Sequence, residues 1–290
     1  MTKPAFTIIG CGAVGACLAD LLVGLGYPVA GLASKTRASA EKTARIIGTD
    51  KIFDKVEDAA KAGDLVFITT TDDAIGPVCQ DISCKKGFSK GSVVLHCSGA
   101  LSSDLLASAR DCGAYVGSMH PLQSFAAAKP GVNLFQGVLV SVEGDEPARD
   151  LAKQVATDLG AMCARVDTHS KMLYHAAAVV ASNYLVALLH LAFELNRGAG
   201  IEPKESLAGL MPLIQGTLKN IEAQGIPNAL TGPIARGDVG IVKQHVEEIR
   251  AKTPQLLTLY QTLGLQTVDL ALAKGTVDET RAKELKEVLQ

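Results

Sequence analysis

Residues 10–15 read Gly10-Cys11-Gly12-Ala13-Val14-Gly15, a G-x-G-x-x-G run between an apolar stretch, Ala5–Ile9, and a helix-like one, Ala13–Leu25. A second apolar stretch, Val29–Leu32, follows. The hexapeptide alone is a weak signal, but strand, glycine turn, helix and strand in this order are what a dinucleotide-binding fingerprint requires. Gly10 permits the turn, Gly12 lets a pyrophosphate approach the backbone, and Gly15 lets helix and strand pack closely. The unpaired N–H groups at the helix start, and its positive dipole end, then face the phosphates. The competing reading is a tight turn and nothing more.

Beyond the turn, short apolar runs recur at Leu65–Thr69, Val93–Cys97, Tyr115–Met119 and Val138–Val142, with a further strand expected over Ala161–Val166. Helix-like stretches such as Ala38–Ile47, Ser103–Arg110 and Glu146–Leu159 separate several of them. Fully apolar strands alternating with helices imply a mostly parallel sheet covered on both faces, and right-handed crossovers make it doubly wound. After Asp167 the strand signal fades. Helices are expected over Thr168–Arg197, Lys204–Gln224, Val239–Arg250, Pro254–Leu263 and Glu279–Leu289. The expectation is an α/β Rossmann-type domain over residues 1–167, then an all-α domain over 168–290.

Lysine and arginine number 28 against 30 acidic residues, without a dense run of either sign. Neither nucleic acid nor an anionic membrane is an expected partner. The seven cysteines are scattered without metal-ligand spacing, so no metal is expected and a reducing, cytoplasmic setting fits. Met172–Phe193 contains no Asp, Glu, Lys or Arg and is long enough to span a bilayer. It also carries His175, Ser182, Asn183 and His190, which are costly in lipid, so a buried central helix of a soluble protein is expected. Its apolar surface, more than a small helical domain buries, points to a homodimer.

The second strand is followed by Ser34-Lys35-Thr36-Arg37, where an NAD enzyme usually places an acidic residue. Hydroxyls with Lys35 and Arg37 would hold a 2′-phosphate, so NADP is the expected cofactor, with NAD also possible. The alternative is a pair of solvated cations at a helix start. Thr70, Thr71 and Asp72 follow the strand ending at Thr69 and should line the ligand crevice, although Asp72 or Asp73 would also serve as a helix cap.

Hydride transfer also needs a proton donor or acceptor. Ser98 and His120 each follow a strand on the ligand side, and Ser124 lies just beyond as a candidate substrate contact. At about 100° per residue, Lys171, His175 and Ser182 fall within roughly 40° of one another on the long helix, with Asn183 further round. Such a stripe on an apolar helix must find polar partners, in a cleft with a ligand or in a structural network. Arg236, in the loop Leu230–Asp238, either clamps a substrate carboxylate or pairs internally with Asp238.

Together these residues resemble the uncharacterised Rossmann-like proteins that carry a C-terminal helical domain of unknown function. The resemblance runs through Thr71-Asp72-Asp73-Ala74-Ile75, His96-Cys97-Ser98-Gly99-Ala100, His120-Pro121-Leu122-Gln123-Ser124-Phe125, Lys171 with Tyr174-His175-Ala176-Ala177, Ser182-Asn183-Tyr184 and Thr231–Asp238. It implies kinship with pyrroline-5-carboxylate reductase, prephenate dehydrogenase and ketopantoate reductase, and a helical domain like that of 6-phosphogluconate dehydrogenase. His120-Pro121 looks like the His-Pro of prephenate dehydrogenases, where the histidine faces the substrate hydroxyl, and Ser98 like their serine. Lys171 sits where ketopantoate reductases and β-hydroxyacid dehydrogenases keep a catalytic lysine. Those enzymes place Asn four residues later, where this chain has His175.

The expected function is NADP-dependent hydride transfer with a small, carboxylate-bearing carbonyl/hydroxyl or imine/amine metabolite. The expected catalytic residues are Lys171 as donor, then His120, His175, Ser98 and Asn183. The alternative is a non-catalytic NADP sensor or scaffold.

Overall fold

The computed structural model describes residues 3–125 and 130–290. The chain divides into two compact units, Met1–Ala181 and Ser182–Gln290.

The first unit is built on a seven-stranded sheet. Strand β1 (Phe6–Ile9) leads through helix α1 (Ala13–Gly24) to β2 (Val29–Ala33), and α2 (Arg37–Ile47) and α3 (Val56–Ala62) lead on to β3 (Leu65–Ile68). Helix α4 (Asp72–Cys84) precedes β4 (Val93–His96), and a 3₁₀ turn (Ser103–Leu106) with α5 (Ala107–Asp111) precedes β5 (Tyr115–Pro121). Then come β6 (Leu139–Gly144), α6 (Glu146–Asp158) and β7 (Met162–Arg165). The strand order is β2-β1-β3-β4-β5-β6-β7. All neighbours run parallel except β5 and β6, as a mostly parallel sheet requires.

The chain winds outward from β1 to β2 and then crosses back to β3. The carboxyl ends of β1 and β3 therefore flank the topological switch point, where open α/β sheets bind ligands. A third strand outside β2 is reduced to one bridge, Leu32 with Ile52.

Alternation along the strands gives the sheet two apolar faces. Phe6, Ile8, Leu65, Phe67, Leu95, Met119 and Val140 pack with residues of α1, α2 and α6. Ile9, Val66, Ile68, Val94 and Val116 pack with residues of α3, α4 and α5.

Helix α7 (Lys171–Val179) follows a short 3₁₀ turn, Thr168–Ser170. The first unit thus extends past the border expected at residue 167 as far as Ala181, because Lys171 is hydrogen-bonded to Ser98 and Ser118. The helical run continues through a π turn, Val180–Tyr184, into α8 (Leu185–Gly198) of the second unit. That unit adds α9 (Pro203–Gln224), α10 (Val239–Lys252), α11 (Leu257–Lys274) and α12 (Glu279–Leu289), with Val242, Val246, Val268, Ala271 and Leu285 in its core.

The long helical run departs from the expectation of a buried central helix. Only 6% of the most apolar stretch of Thr168–Gly198 is buried, and by length and composition the run could cross a membrane. Met172, Leu173, Val180, Tyr184, Val186 and Leu188 are all exposed. The run is also not a regular α-helix throughout: Val180–Tyr184 form a π turn, which advances by less than 100° per residue, so the angles expected from Lys171 to Ser182 and Asn183 do not carry over.

Candidate active site

The glycine turn has the geometry that the fingerprint requires. Gly10 has φ +106°, in the region open to glycine, and a Cβ there would lie 2.8–2.9 Å from the Thr69–Thr70 backbone. A Cβ on Gly15 would approach the Gly10 carbonyl oxygen to 2.2 Å and Thr69 Oγ1 to 2.5 Å, so its absence lets α1 pack against the β1 end. Gly12 is different: nothing lies within 4 Å of where its Cβ would be. It is the N-cap of α1 and supplies no side-chain cap, which leaves the first amides of α1, from Ala13 and Val14, available to an anion. The Cys11 amide donates to Ser34 Oγ (3.3 Å), while Lys35 and Arg37 are exposed beside it. Arg37 is already engaged, by Glu41 and by Asp54. The residues present fit a dinucleotide phosphate chain.

Across β4, β5 and β6 the second apolar face turns polar near the carboxyl edge of the parallel strands. His96 is in register with Ser118, and Ser118 with Glu143, so the three side chains share one face and all are buried. Lys171, 1% exposed, closes over this row. Its Nζ donates to the Ser98 carbonyl (2.9 Å) and to Ser118 Oγ (2.6 Å) and lies 3.8 Å from Glu143 Oε1. The Glu143 carboxylate accepts the Ser103 amide and hydroxyl (both 2.8 Å) and the Thr168 hydroxyl (3.0 Å).

Burial pushes Lys171 down to about 8, against the opposing pull of Glu143. Burial would raise Glu143, but the hydroxyls of Ser103 and Ser118 and the charge of Lys171 hold it below its ordinary value. The expected proton donor is therefore a buried, hydrogen-bonded ammonium. This corrects its placement in an open cleft: Lys171 organises the wall of the site.

Above the row, Ser98 Oγ accepts the amides of Ala100 and Leu101 and donates to Asp72 Oδ2 (2.9 Å). Asp72 is the first helical residue of α4, after an N-cap at Thr71, so neither Asp72 nor Asp73 is the cap. His120, two residues beyond Ser118 on β5, is half-buried, with Nδ1 3.3 Å from the Tyr174 hydroxyl. A Cβ on Gly99 would lie 2.7 Å from both His120 Nε2 and His175 Nδ1, so the two rings converge over this glycine. His175 Nδ1 is buried without a hydrogen-bond partner. Burial, then the charge of Lys171, then His175 bring His120 down to about 4, which leaves a neutral imidazole at pH 7. His96, with Nδ1 accepting the Ser98 amide, is also brought down to about 4, by burial and Lys171.

Residues 2–121 match a Rossmann-like domain, and residues 138–267 match the family described as Domain of unknown function (DUF2520). The chain joins a Rossmann-like domain to a DUF2520 domain. No curated protein matches it. Among solved structures, protein TM1727 from Thermotoga maritima is similar at 24% identity and TM-score 0.74, covering 93% of this chain and 100% of its own. Protein BF3122 from Bacteroides fragilis is similar at 21% identity and TM-score 0.73, covering 92% of this chain and 99% of its own. A reductive aminase from Aspergillus terreus, solved with NADPH and ethyl levulinate, has 17% identity, TM-score 0.65 and 99% coverage of both chains.

The Rossmann-like segment supplies Asp72, Ser98, Gly99 and His120, and the DUF2520 segment supplies Glu143, Lys171, Tyr174 and His175. Sequence reasoning missed Glu143, Ser118, Gly99 and Tyr174 as parts of the site. A signal existed for the first two: polar residues alternate at His96/Ser98, Ser118/His120 and Ser141/Glu143 at the ends of otherwise apolar strands. Ser124 is exposed, and its amide donates to Gln123 Oε1. In the second unit Asn183 is exposed, and Arg236 takes the internal option, paired with Asp238 at 2.8 Å.

The neutral histidines make stability depend on pH. Both titrate near 4 in the fold against an ordinary 6.5. Between those values an unfolded chain takes up protons that the folded chain excludes, so stability falls as pH drops from 6.5 towards 4. At about 1.4 kcal/mol per pH unit, the fully buried His96 alone contributes on the order of 3 kcal/mol to the loss. Urea unfolding at pH 6.5 and at about pH 5, above most carboxylate titrations, should show the weaker protein at the lower pH. Equal midpoints would contradict neutral, buried histidines.

Proposed function

We propose that this protein binds NADP(H), with NAD(H) as a weaker alternative, and catalyses hydride transfer with a small carbonyl/hydroxyl or imine/amine metabolite. The observation that carries the reading is the open backbone over Gly12 at the switch point, on the same sheet edge that carries Ser98 and His120. The reductive aminase solved with NADPH supports the coenzyme class. A protein that only sensed the coenzyme would have no use for converging histidines above a buried charge pair.

Gly10–Gly15 and the start of α1 receive the pyrophosphate, Thr70 and Thr71 border the crevice, and Ser34, Lys35 and Arg37 receive a 2′-phosphate. When bound, the nicotinamide supplies or accepts the hydride. His120 handles the matching proton: as a neutral imidazole it takes one from a substrate hydroxyl or amine during oxidation and returns it during reduction. Tyr174 orients the ring through Nδ1, and His175 offers a second polar contact beside Gly99. Lys171 acts from behind, lowering the proton affinity of His120. Asn183 is kept as a substrate hydrogen-bonding group on sequence grounds, while Arg236 would have to leave Asp238 to hold a carboxylate.

The exposed apolar helix is covered, in this proposal, by a second copy of the chain rather than by lipid. Ser182, Asn183 and His190 are exposed on the same run, and such groups are costly in hydrocarbon. All seven cysteines are free, as suits a protein of the cytoplasm.

Titration followed by nicotinamide fluorescence should give saturable NADPH binding, tighter than that of NADH. Gly12→Val should abolish it without loss of folding, since the new side chain enters open space. Absence of NADPH binding to the wild-type chain would overturn the coenzyme assignment. Sedimentation at micromolar concentration should give a dimer, and a monomer there would overturn the interface.

A further inference from the structure

The acidic residue missing after β2 has a counterpart from elsewhere in the chain. Residues 51–53 are tied to β2 through the Leu32 amide on the Lys51 carbonyl and the Phe53 amide on the Leu32 carbonyl, both at 2.9 Å. Phe53 is seated over Gly31, where a Cβ would meet its ring at 2.8 Å. The next residue, Asp54, is thereby carried beside the start of α2, and its carboxylate engages Arg37 Nη1. Glu41, one turn along α2, engages Arg37 Nε at 3.0 Å. Arg37 and Asp54 are solvent-exposed and Glu41 is partly so, so the arrangement is loose enough to open.

We propose that Asp54 is a specificity-determining residue that competes with a coenzyme 2′-phosphate for Arg37. The proposal rests on the coenzyme reading above. A guanidinium has one planar fork, and a carboxylate or a phosphate can fill it. With a 2′-phosphate present, Arg37 turns from Asp54 to the phosphate, and the freed carboxylate repels the same group. With a bare ribose present, the Arg37–Asp54 pair stays closed, and Asp54 can accept a hydrogen bond from a sugar hydroxyl. Asp54 therefore lowers the preference for NADPH that Ser34, Lys35 and Arg37 would otherwise impose. Glu41 holds Arg37 from the helix side in either case.

Fluorescence titrations of NADPH and NADH against wild type, Asp54→Asn, Arg37→Ala and the double variant test this. Asp54→Asn should tighten NADPH and weaken or leave NADH, changing the affinity ratio by about two- to five-fold, the scale of an exposed ion pair. Arg37→Ala should weaken NADPH and leave NADH. In the double variant the gain from Asp54→Asn should shrink, because the carboxylate acts chiefly through Arg37. An unchanged or lowered NADPH/NADH preference in Asp54→Asn overturns the proposal while leaving the coenzyme reading intact. Failure of NADPH to bind the wild-type chain overturns both. The substitutions are on the surface, and circular dichroism confirms that each variant is folded.

Discussion

The site depends on one buried ion pair. Lys171 and Glu143 are both almost fully excluded from water, and neither charge is tolerable there alone. Their desolvation is offset by a network of hydrogen bonds: Ser103 and Thr168 on the carboxylate, Ser98 and Ser118 on the ammonium. The consequence is positional. Lys171 starts α7, Ser98 ends the β4 edge, Ser118 sits on β5 and Glu143 on β6, so the pair locks four elements together at the edge where the crevice opens.

The same pair sets the chemistry above it. Burial disfavours a charge on His120, and the cation beneath it adds to that, so the imidazole stays neutral. Ser98 is held by Lys171 through its carbonyl and holds Asp72 through its hydroxyl, linking the buried charge to the first turn of α4. At the other end of the crevice the backbone does the work: Gly10 and Gly15 bring β1, β3 and α1 together, and Gly12 leaves room. In the proposed function, phosphate recognition comes from main-chain amides, and acid–base chemistry from side chains on a charged foundation.

Much of the Rossmann architecture was legible because it has local causes. Apolar runs of strand length, glycines at fixed offsets and helix-length spacers determine β1, α1 and β2 nearly to the residue. The antiparallel placement of β6 was not legible, because strand direction depends on the connection and not on the run Leu139–Gly144. The surroundings of Lys171 were not legible for a related reason. Helical periodicity marks it as polar on an apolar helix, but whether it faces a cleft or a buried carboxylate depends on Glu143, which lies 28 positions earlier in the chain. The π turn at Val180–Tyr184 also escapes a fixed 100° step, so the angular positions of Ser182 and Asn183 relative to Lys171 were not legible. The exposure of the long helix was not legible either, because an apolar run reads the same whether its face is buried or exposed.

The most direct test of the account is a stability cycle on the buried pair, using Lys171→Met, Glu143→Gln and both together in urea unfolding. If the pair is the foundation of the site, each single variant leaves a buried polar group without its counterpart and loses about 3–5 kcal/mol. The double variant removes both charges and should lose clearly less than the two single losses combined. Additive losses, or single variants as stable as the wild type, would contradict the account.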